Sequence, residues 1–430
     1  MMRSLSLRTI RILVARLSEI QSCSSIIFLF ALFVSLIFTF VVFPRASDVH
    51  HLVLDPDQHG NLAFGLWKYH TFSYYPEHEP TVERGPGYPA LIAILLAITH
   101  GWYPGSVQLV QCMLFAVLAW MVWYIGNSLW NRRVAFLSAI FCALHPLVFW
   151  YTSRIWIELT ATVLFTAIVA GVVRLSKNQS VDRAIVLGLL LGVAALWKST
   201  FLPYILLVPI LLALLPREKY RLGMIVVVVF SATLVVAPWT IRNYKLTGKF
   251  IPVHSRLGFN LQVGDDIVEN ISKSPFALPP IFDISIRKIY AIESTLPKHL
   301  KRYQGEIALD SVLTKRCLAK YVSSPGFLAR KMIINAWLFW SLGETPAKTM
   351  VITGLLLPLA ILFLISAIIV YKRGQFRSIL GVHVIMVLFY YVAHLPVEAI
   401  ARYSVVLIPT MLLYVVAFVL EPLLASDKPV

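Results

Sequence analysis

Asp55-Pro56-Asp57-Gln58-His59 sets two carboxylates beside an imidazole in one short turn. A carboxylate so placed can act as a general base and remove a proton from an acceptor hydroxyl. Asp-Pro-Asp is equally an ordinary turn and helix-capping sequence. Downstream stands Glu83-Arg84-Gly85-Pro86-Gly87-Tyr88-Pro89, whose prolines and glycines break any helix and can turn Arg84 back on the chain. A guanidinium there suits a phosphate, because its planar fork makes bidentate charge-assisted hydrogen bonds. The alternative is an arginine that only anchors the helix after it. Glu158 lies at the border of an apolar run just after Arg154, and Arg242-Asn243 and Arg402-Tyr403 occupy similar borders. Ionisable groups at such places point to function, or in the case of Glu158 to pairing with Arg154.

The elements that must position these residues are apolar. The chain has 430 residues, 58% of them hydrophobic and 14% charged, with mean hydropathy +0.76. Runs long enough to cross about 30 Å of hydrocarbon recur from end to end. Spans are expected at 26–43, 106–126, 134–151, 157–173, 184–198, 200–215, 222–239, 350–371, 379–394 and 403–421, about ten in all. The fold class is therefore an all-α polytopic membrane protein. Net charge is +17, yet the Lys and Arg residues lie mainly in short loops between spans and in one long loop. That distribution sets topology and attracts anionic membrane lipid; it does not build a nucleic-acid-binding face. Cys23, Cys112, Cys142 and Cys317 have neither metal-ligand spacing nor the pattern of a disulfide framework.

Arg3, Arg8, Arg11 and Arg16 precede the first span, which reads as uncleaved. Together with Arg132/Arg133, Arg174/Lys177/Arg183, Arg217/Lys219/Arg221 and Lys372/Arg373/Arg377, they fall on one side of the membrane if the spans number ten. Two long loops then face the other side. The first, 44–105, is acidic between Asp48 and Glu83; the second, 240–348, is basic. The expected organisation is an N-terminal membrane module over 1–239 that includes the first outer loop, a large outer region over 240–348, and C-terminal membrane helices over 349–430. Segments 87–99 and 327–342 are read as interfacial helices, the second carrying Arg330, Lys331, Trp337 and Trp340. Lys198 sits in the short turn between two spans, either as an ammonium at phosphate depth or as a snorkelling lysine. Gly188-x-x-x-Gly192 permits close packing of helices.

Taken in order, these motifs resemble the GT-C glycosyltransferases, nearest to the family 39 protein mannosyltransferases and the family 83 aminoarabinose transferases of lipid A. The resemblance rests on the Asp55 turn with Leu62-Ala63, and on Arg84-Gly85-Pro86-Gly87-Tyr88-Pro89. It continues through His145-Pro146 with Glu158, Pro238-Trp239 with Arg242-Asn243, the Gly258/Asn260/Gly264 run, and Arg402-Tyr403. It implies a GT-C helical bundle, a polyprenyl-phosphate sugar donor, and a glycan, lipid or protein acceptor whose hydroxyl is glycosylated on the outer face. The base it implies is a first-loop aspartate in Asp-x-x-x-Tyr followed by Leu-Ala. Asp55 fits that spacing better than Asp57, although His59 replaces the Tyr. Arg84, Lys198, Arg242 and Arg402 become donor-phosphate ligands, with Glu158, Asn243 and Tyr403 as further site residues. Glu83 matches a glutamate that in the aminoarabinose transferases helps hold a metal, so a divalent ion is implied as the cofactor. The expected location is a bacterial inner membrane, with the catalytic loops in the periplasm.

An attack on the face opposite the leaving phosphate predicts inversion at the anomeric carbon. The alternatives are a transporter or flippase of a lipid-linked substrate, and a polysaccharide polymerase or ligase. Transporters place charges at mid-membrane, whereas here they gather in outer loops and at span ends.

Overall fold

The computed structural model describes residues 23–43, 55–75, 79–215, 222–271 and 279–425. The four N-terminal arginines, Asp48, Glu77 and the basic loop Arg217/Lys219/Arg221 lie outside the described residues. Every expected span coincides with a helix. Helices α1 (Cys23–Val42), α4 (Gly105–Leu129), α6 (Ile157–Lys177), α9 (Leu222–Thr247), α14 (Pro346–Lys372) and α16 (Ala401–Leu424) are each long and apolar enough to cross a membrane. The span at 134–151 is α5, Arg132–Leu144 followed by Pro146–Thr152 after a 55° bend. The bend falls at His145-Pro146, where proline removes a donor and sterically ends the preceding helix. The remaining three spans are shorter helices: α7 (Val181–Trp197), α8 (Ser199–Ala213) and α15 (Ile379–His394).

Helices α6 and α16 are buried over most of their length and form the centre of the bundle, whereas only about a quarter of α1, α9 and α14 is buried. The exposed side chains are those lipid would solvate, such as Phe33, Phe230, Leu234 and Leu364. Helices α7 and α9 pack with almost no gap. A Cβ at Gly188 or Gly192 would collide with the carbonyl oxygens of Val228 and Ala232, so the small residues serve the close approach expected of them.

The two long loops supply α2 (His59–Tyr69), α3 (Gly87–Ile98), α10 (Leu257–Asn270), α11 (Pro279–Glu293), α12 (Arg302–Ser323) and α13 (Pro325–Ser341). The run from Gly258 to Gly264 is a helix pressed against its neighbours. Gly258 faces the Asp310 carbonyl of α12, and Gly264 faces the Val397 carbonyl. Lys331 of α13 does not face the membrane interface: its fully buried ammonium bonds Leu261 O (3.0 Å), Asp265 (2.7 Å) and Tyr321 (2.9 Å). Trp337 on the same helix is exposed.

The two long loops are tied to each other. Glu306 of α12 accepts from Thr81 Oγ1 (2.7 Å) and the Val82 N–H (2.9 Å), and the Ser255 N–H donates to Val82 O (2.9 Å). These contacts fix residues 81–84 against the start of α10, and so position Glu83 and Arg84.

Candidate active site

The sequence places Asp55 and Asp57 at the N-terminus of α2, and the two carboxylates have different partners. Asp55 accepts from the His59 N–H (2.9 Å), the Gly60 N–H (2.7 Å) and Tyr103 Oη (3.0 Å). The first two are N–H groups that an α-helix leaves unpaired at its start. Gly60 is needed for this geometry, since a Cβ there would meet Tyr103 and the Asp55 carboxylate. Burial pushes the Asp55 carboxyl up, and the Gly60, His59 and Tyr103 donors reverse only part of that rise.

Asp57 faces cations. Its carboxylate lies 2.9 Å from Arg84 Nη2 and 3.9 Å from Arg402 Nη1. Burial would raise this group too, but Arg84 and then Arg402 outweigh burial and hold it well below the usual carboxylate range. His59, packed edge-on against Tyr88, is lowered by burial to about 3 despite the pull of Asp57, so its ring is neutral at physiological pH.

Arg402 also reaches Glu158, with Nε 3.6 Å from Oε1. Glu158 is almost fully buried at the start of α6. Glu158 thus pairs with Arg402, whereas Arg154, its alternative partner, lies over the rings of Phe43, Trp150 and Trp156. Tyr403 donates to Glu398 Oε2 (3.1 Å), and its ring lies 4.3 Å from Lys198 Nζ. The Lys198 ammonium is buried without a hydrogen-bond partner among the described residues, so it does not snorkel to water. Glu158 Oε2 and Arg84 Nε are likewise buried and without a hydrogen-bond partner among the described residues. Burying such groups is costly unless something satisfies them.

Two expected members stand apart from this cluster. Arg242 donates to Thr81 O (2.9 Å) and Asn243 Oδ1 (3.0 Å) and lies against Trp239. Asn243 is fully buried and bonds Ile251 O (3.0 Å) and Val253 O (3.1 Å). Both pin the end of α9 to the long loops, which positions the site without facing it. Two residues of the cluster escaped the sequence reading, Tyr103, which donates to Asp55, and Arg256. Arg256, just before α10, forms an ion pair with Glu83 and stacks 4.0 Å over Phe259. Its only sequence signal is its place just ahead of the Gly258–Gly264 run.

Glu83 is therefore occupied as an ion-pair partner. Burial would raise its carboxyl, but Arg256 and Arg84 outweigh burial and hold it below its ordinary value. Among the described residues no group of three or more His, Cys, Asp or Glu side chains gathers as a metal site. The carboxylates of Asp55, Asp57 and Glu83 face guanidinium groups or backbone N–H groups.

Bundle and loop helices together make an all-α membrane protein whose fold is the GT-C fold of the archaeal structures it is similar to. The chain is similar to the archaeal oligosaccharyltransferase AglB of Archaeoglobus fulgidus in complex with an inhibitory peptide and a dolichol-phosphate, with TM-score 0.57 and 15% identity over 93% of this chain and 50% of that one. The apo form gives TM-score 0.57 and 14% identity over 94% and 51%, and a complex with Zn and sulfate gives 0.55 and 13% over 92% and 49%. The chain spans about half the length of these structures. Residues 83–241 match the family model described as dolichyl-phosphate-mannose-protein mannosyltransferase. The matched segment holds Glu83, Arg84, Glu158 and Lys198; Asp55, Asp57, Arg256 and Arg402 lie outside it. No curated protein matches the chain.

Proposed function

We propose that this protein is a glycosyltransferase that moves a sugar from a polyprenyl-phosphate donor to an acceptor hydroxyl on the outer face of the membrane. The observation that carries the reading is the convergence of Arg84 and Arg402 on one carboxylate, Asp57, at the outer ends of the spans. The buried ammonium of Lys198 adds to it, since such a group is stabilised by an anion. The family model and the dolichol-phosphate bound by the archaeal neighbour support a lipid-phosphate donor.

In the proposed step the acceptor oxygen attacks the anomeric carbon and the bond from that carbon to the phosphate oxygen breaks. The phosphate leaves with the bonding electron pair, and the configuration inverts. Arg84, Arg402 and Lys198 stabilise the charge that grows on the phosphate. Asp55 takes the acceptor proton. Its raised proton affinity suits that role, and its three donors leave one of about four lone-pair sites free. Asp57, which the arginines hold deprotonated, orients the guanidinium pair. We place the protein in a bacterial plasma membrane with both long loops outside.

The test is transfer from a synthetic polyprenyl-phosphate sugar by the purified protein, alongside mass spectrometry of the lipids and glycans of cells lacking it. A missing glycan modification together with transfer in vitro supports the reading. An unchanged envelope and no transfer from any polyprenyl-phosphate sugar would sink it.

A further inference from the structure

Helix α9 carries no charged residue from Leu222 to Ile241, and then Arg242 and Lys245 follow. That uncharged stretch rises about 30 Å, the thickness of the hydrocarbon, so the two cations stand at headgroup level. Val226, Phe230, Leu234, Pro238 and Ile241 are exposed along it at steps of four or three residues, which makes one continuous lipid-facing stripe. The stripe runs into a shallow groove of about 480 Å³ lined by Pro80, Pro238, Ile241, Arg242, Lys245 and Leu246. Among the described residues the charged side chains of its wall are these two cations, and neither has an ion pair. The acids nearby are committed elsewhere. Glu306, whose charge acts on Arg242, is paired with Arg302 (3.0 Å) and holds Thr81 Oγ1 and the Val82 N–H. Glu79, next to Pro80, accepts from the Arg302 N–H (2.8 Å).

Two cations without an acid, at headgroup depth and at the end of an apolar stripe, match an anion that carries its own acyl chain. We propose that this groove is a site for an anionic phospholipid, with its phosphodiester on Arg242 and Lys245 and an acyl chain along Phe230 and Leu234. The site bears on the clamp through one guanidinium. Arg242 lines the groove while its Nη1 holds Thr81 O (2.9 Å), close in sequence to Glu83 and Arg84. A bound phosphodiester fixes that guanidinium and so steadies the segment that positions Arg84. The effect on transfer rests on the glycosyltransferase reading; the lipid site does not.

The experiment uses the purified full-length protein in phosphatidylcholine nanodiscs doped with a photoreactive lipid. Two probes share one diazirine acyl chain and differ in headgroup, phosphatidylglycerol or phosphatidylcholine. The phosphatidylglycerol probe should label peptides within 226–246 about tenfold more than the phosphatidylcholine probe, the order that two surface cations supply. Lys245→Gln should cut this preference to about threefold, and Lys245→Gln combined with Arg242→Gln should abolish it. Lys249→Gln, at an exposed lysine outside the groove, should leave it unchanged. Equal labelling by the two probes, labelling elsewhere, or equal losses in the Lys245 and Lys249 variants overturns the proposal. Displacement of the probe by trace polyprenyl phosphate also overturns it, because the groove then belongs to the donor. Sugar transfer should rise when phosphatidylglycerol is mixed into the disc for the parent and not for Lys245→Gln; an equal rise in both overturns the link to the clamp. Transfer without a headgroup preference rejects the lipid site and keeps the function. A preference without transfer from any polyprenyl-phosphate sugar rejects the function and keeps the lipid site.

Discussion

The Arg402 guanidinium lies 3.6 Å from the buried carboxylate of Glu158, so the last membrane helix and the third long span meet through one ion pair at the rim of the site. The same guanidinium reaches Asp57 at 3.9 Å. A planar fork can serve two carboxylates and a phosphate oxygen together, whereas an ammonium is a point charge. Arg402→Lys and Arg84→Lys should each lower kcat/KM for the lipid-phosphate donor roughly 10- to 100-fold, the range of one lost charge-assisted hydrogen bond. Steady-state kinetics with varied donor measure this. Normal values in both variants would place the phosphate elsewhere.

Glu83 and Arg256 should behave as a pair. Glu83→Gln and Arg256→Gln are expected to reduce transfer by similar factors, and the double variant should lose little more than either single one, as coupled residues do. A chelator should not change these ratios, since Glu83 serves a guanidinium. Selective rescue of Glu83→Gln by added divalent ion would restore the metal role that the sequence suggested.

The spans were legible because hydrocarbon thickness imposes a length on any apolar helix, and each expected run found its helix. The arginines at span borders were legible as a set for the same reason, but their division was not. Arg242 and Arg402 look alike in sequence. One is consumed by the Thr81 carbonyl and Trp239, the other faces Asp57 and Glu158, and only the packing of distant segments decides which. Arg256 was missed because its partner Glu83 lies in the other long loop. Lys331 was misjudged because an amphipathic-looking helix hides which face its lysine takes, and Asp265 is what draws the ammonium inside.

That buried lysine gives a stability prediction. Lys331→Met would leave Asp265 buried beside Tyr321 with only the more distant Lys320 at 3.3 Å. Breaking one partner of a buried ion pair costs about 3–5 kcal/mol. The variant should show a markedly lower melting temperature in detergent, together with loss of folded protein on size exclusion, whereas exposed Arg330→Met should not.

Orientation can be tested with one added thiol. The native cysteines are all buried, so background labelling should be low. Lys68 on α2 is exposed. A Lys68→Cys variant should react with an impermeant maleimide in intact spheroplasts. Reaction only after permeabilisation would put the acidic loop in the cytoplasm and overturn the proposed topology.

The decisive prediction separates the two aspartates. Asp55→Asn keeps the size of the side chain and a capping oxygen for α2 but cannot accept the acceptor proton, so transfer should fall about 10²- to 10⁴-fold. Asp57→Asn loses only the charge that orients Arg84 and Arg402, and should be milder, showing mainly in KM for the donor. The pH dependence follows from burial. Asp55 must be ionised to act, and its carboxyl is raised in the folded protein. The acid limb of kcat/KM should therefore lie above about 4, the ordinary aspartate value. Tyr103→Phe removes a donor that stabilises the ionised form, so the limb should move to still higher pH. The sign for stability is opposite to that of a salt-bridged aspartate. An acid raised on folding disfavours the folded state above its folded pKa, and the penalty is relieved as pH falls through that value. Asp55→Asn should thus melt no lower than the parent at neutral pH while losing activity, a separation that a purely structural helix cap would not produce. If Asp55→Asn transfers normally and Asp57→Asn is inactive, Asp57 is the base.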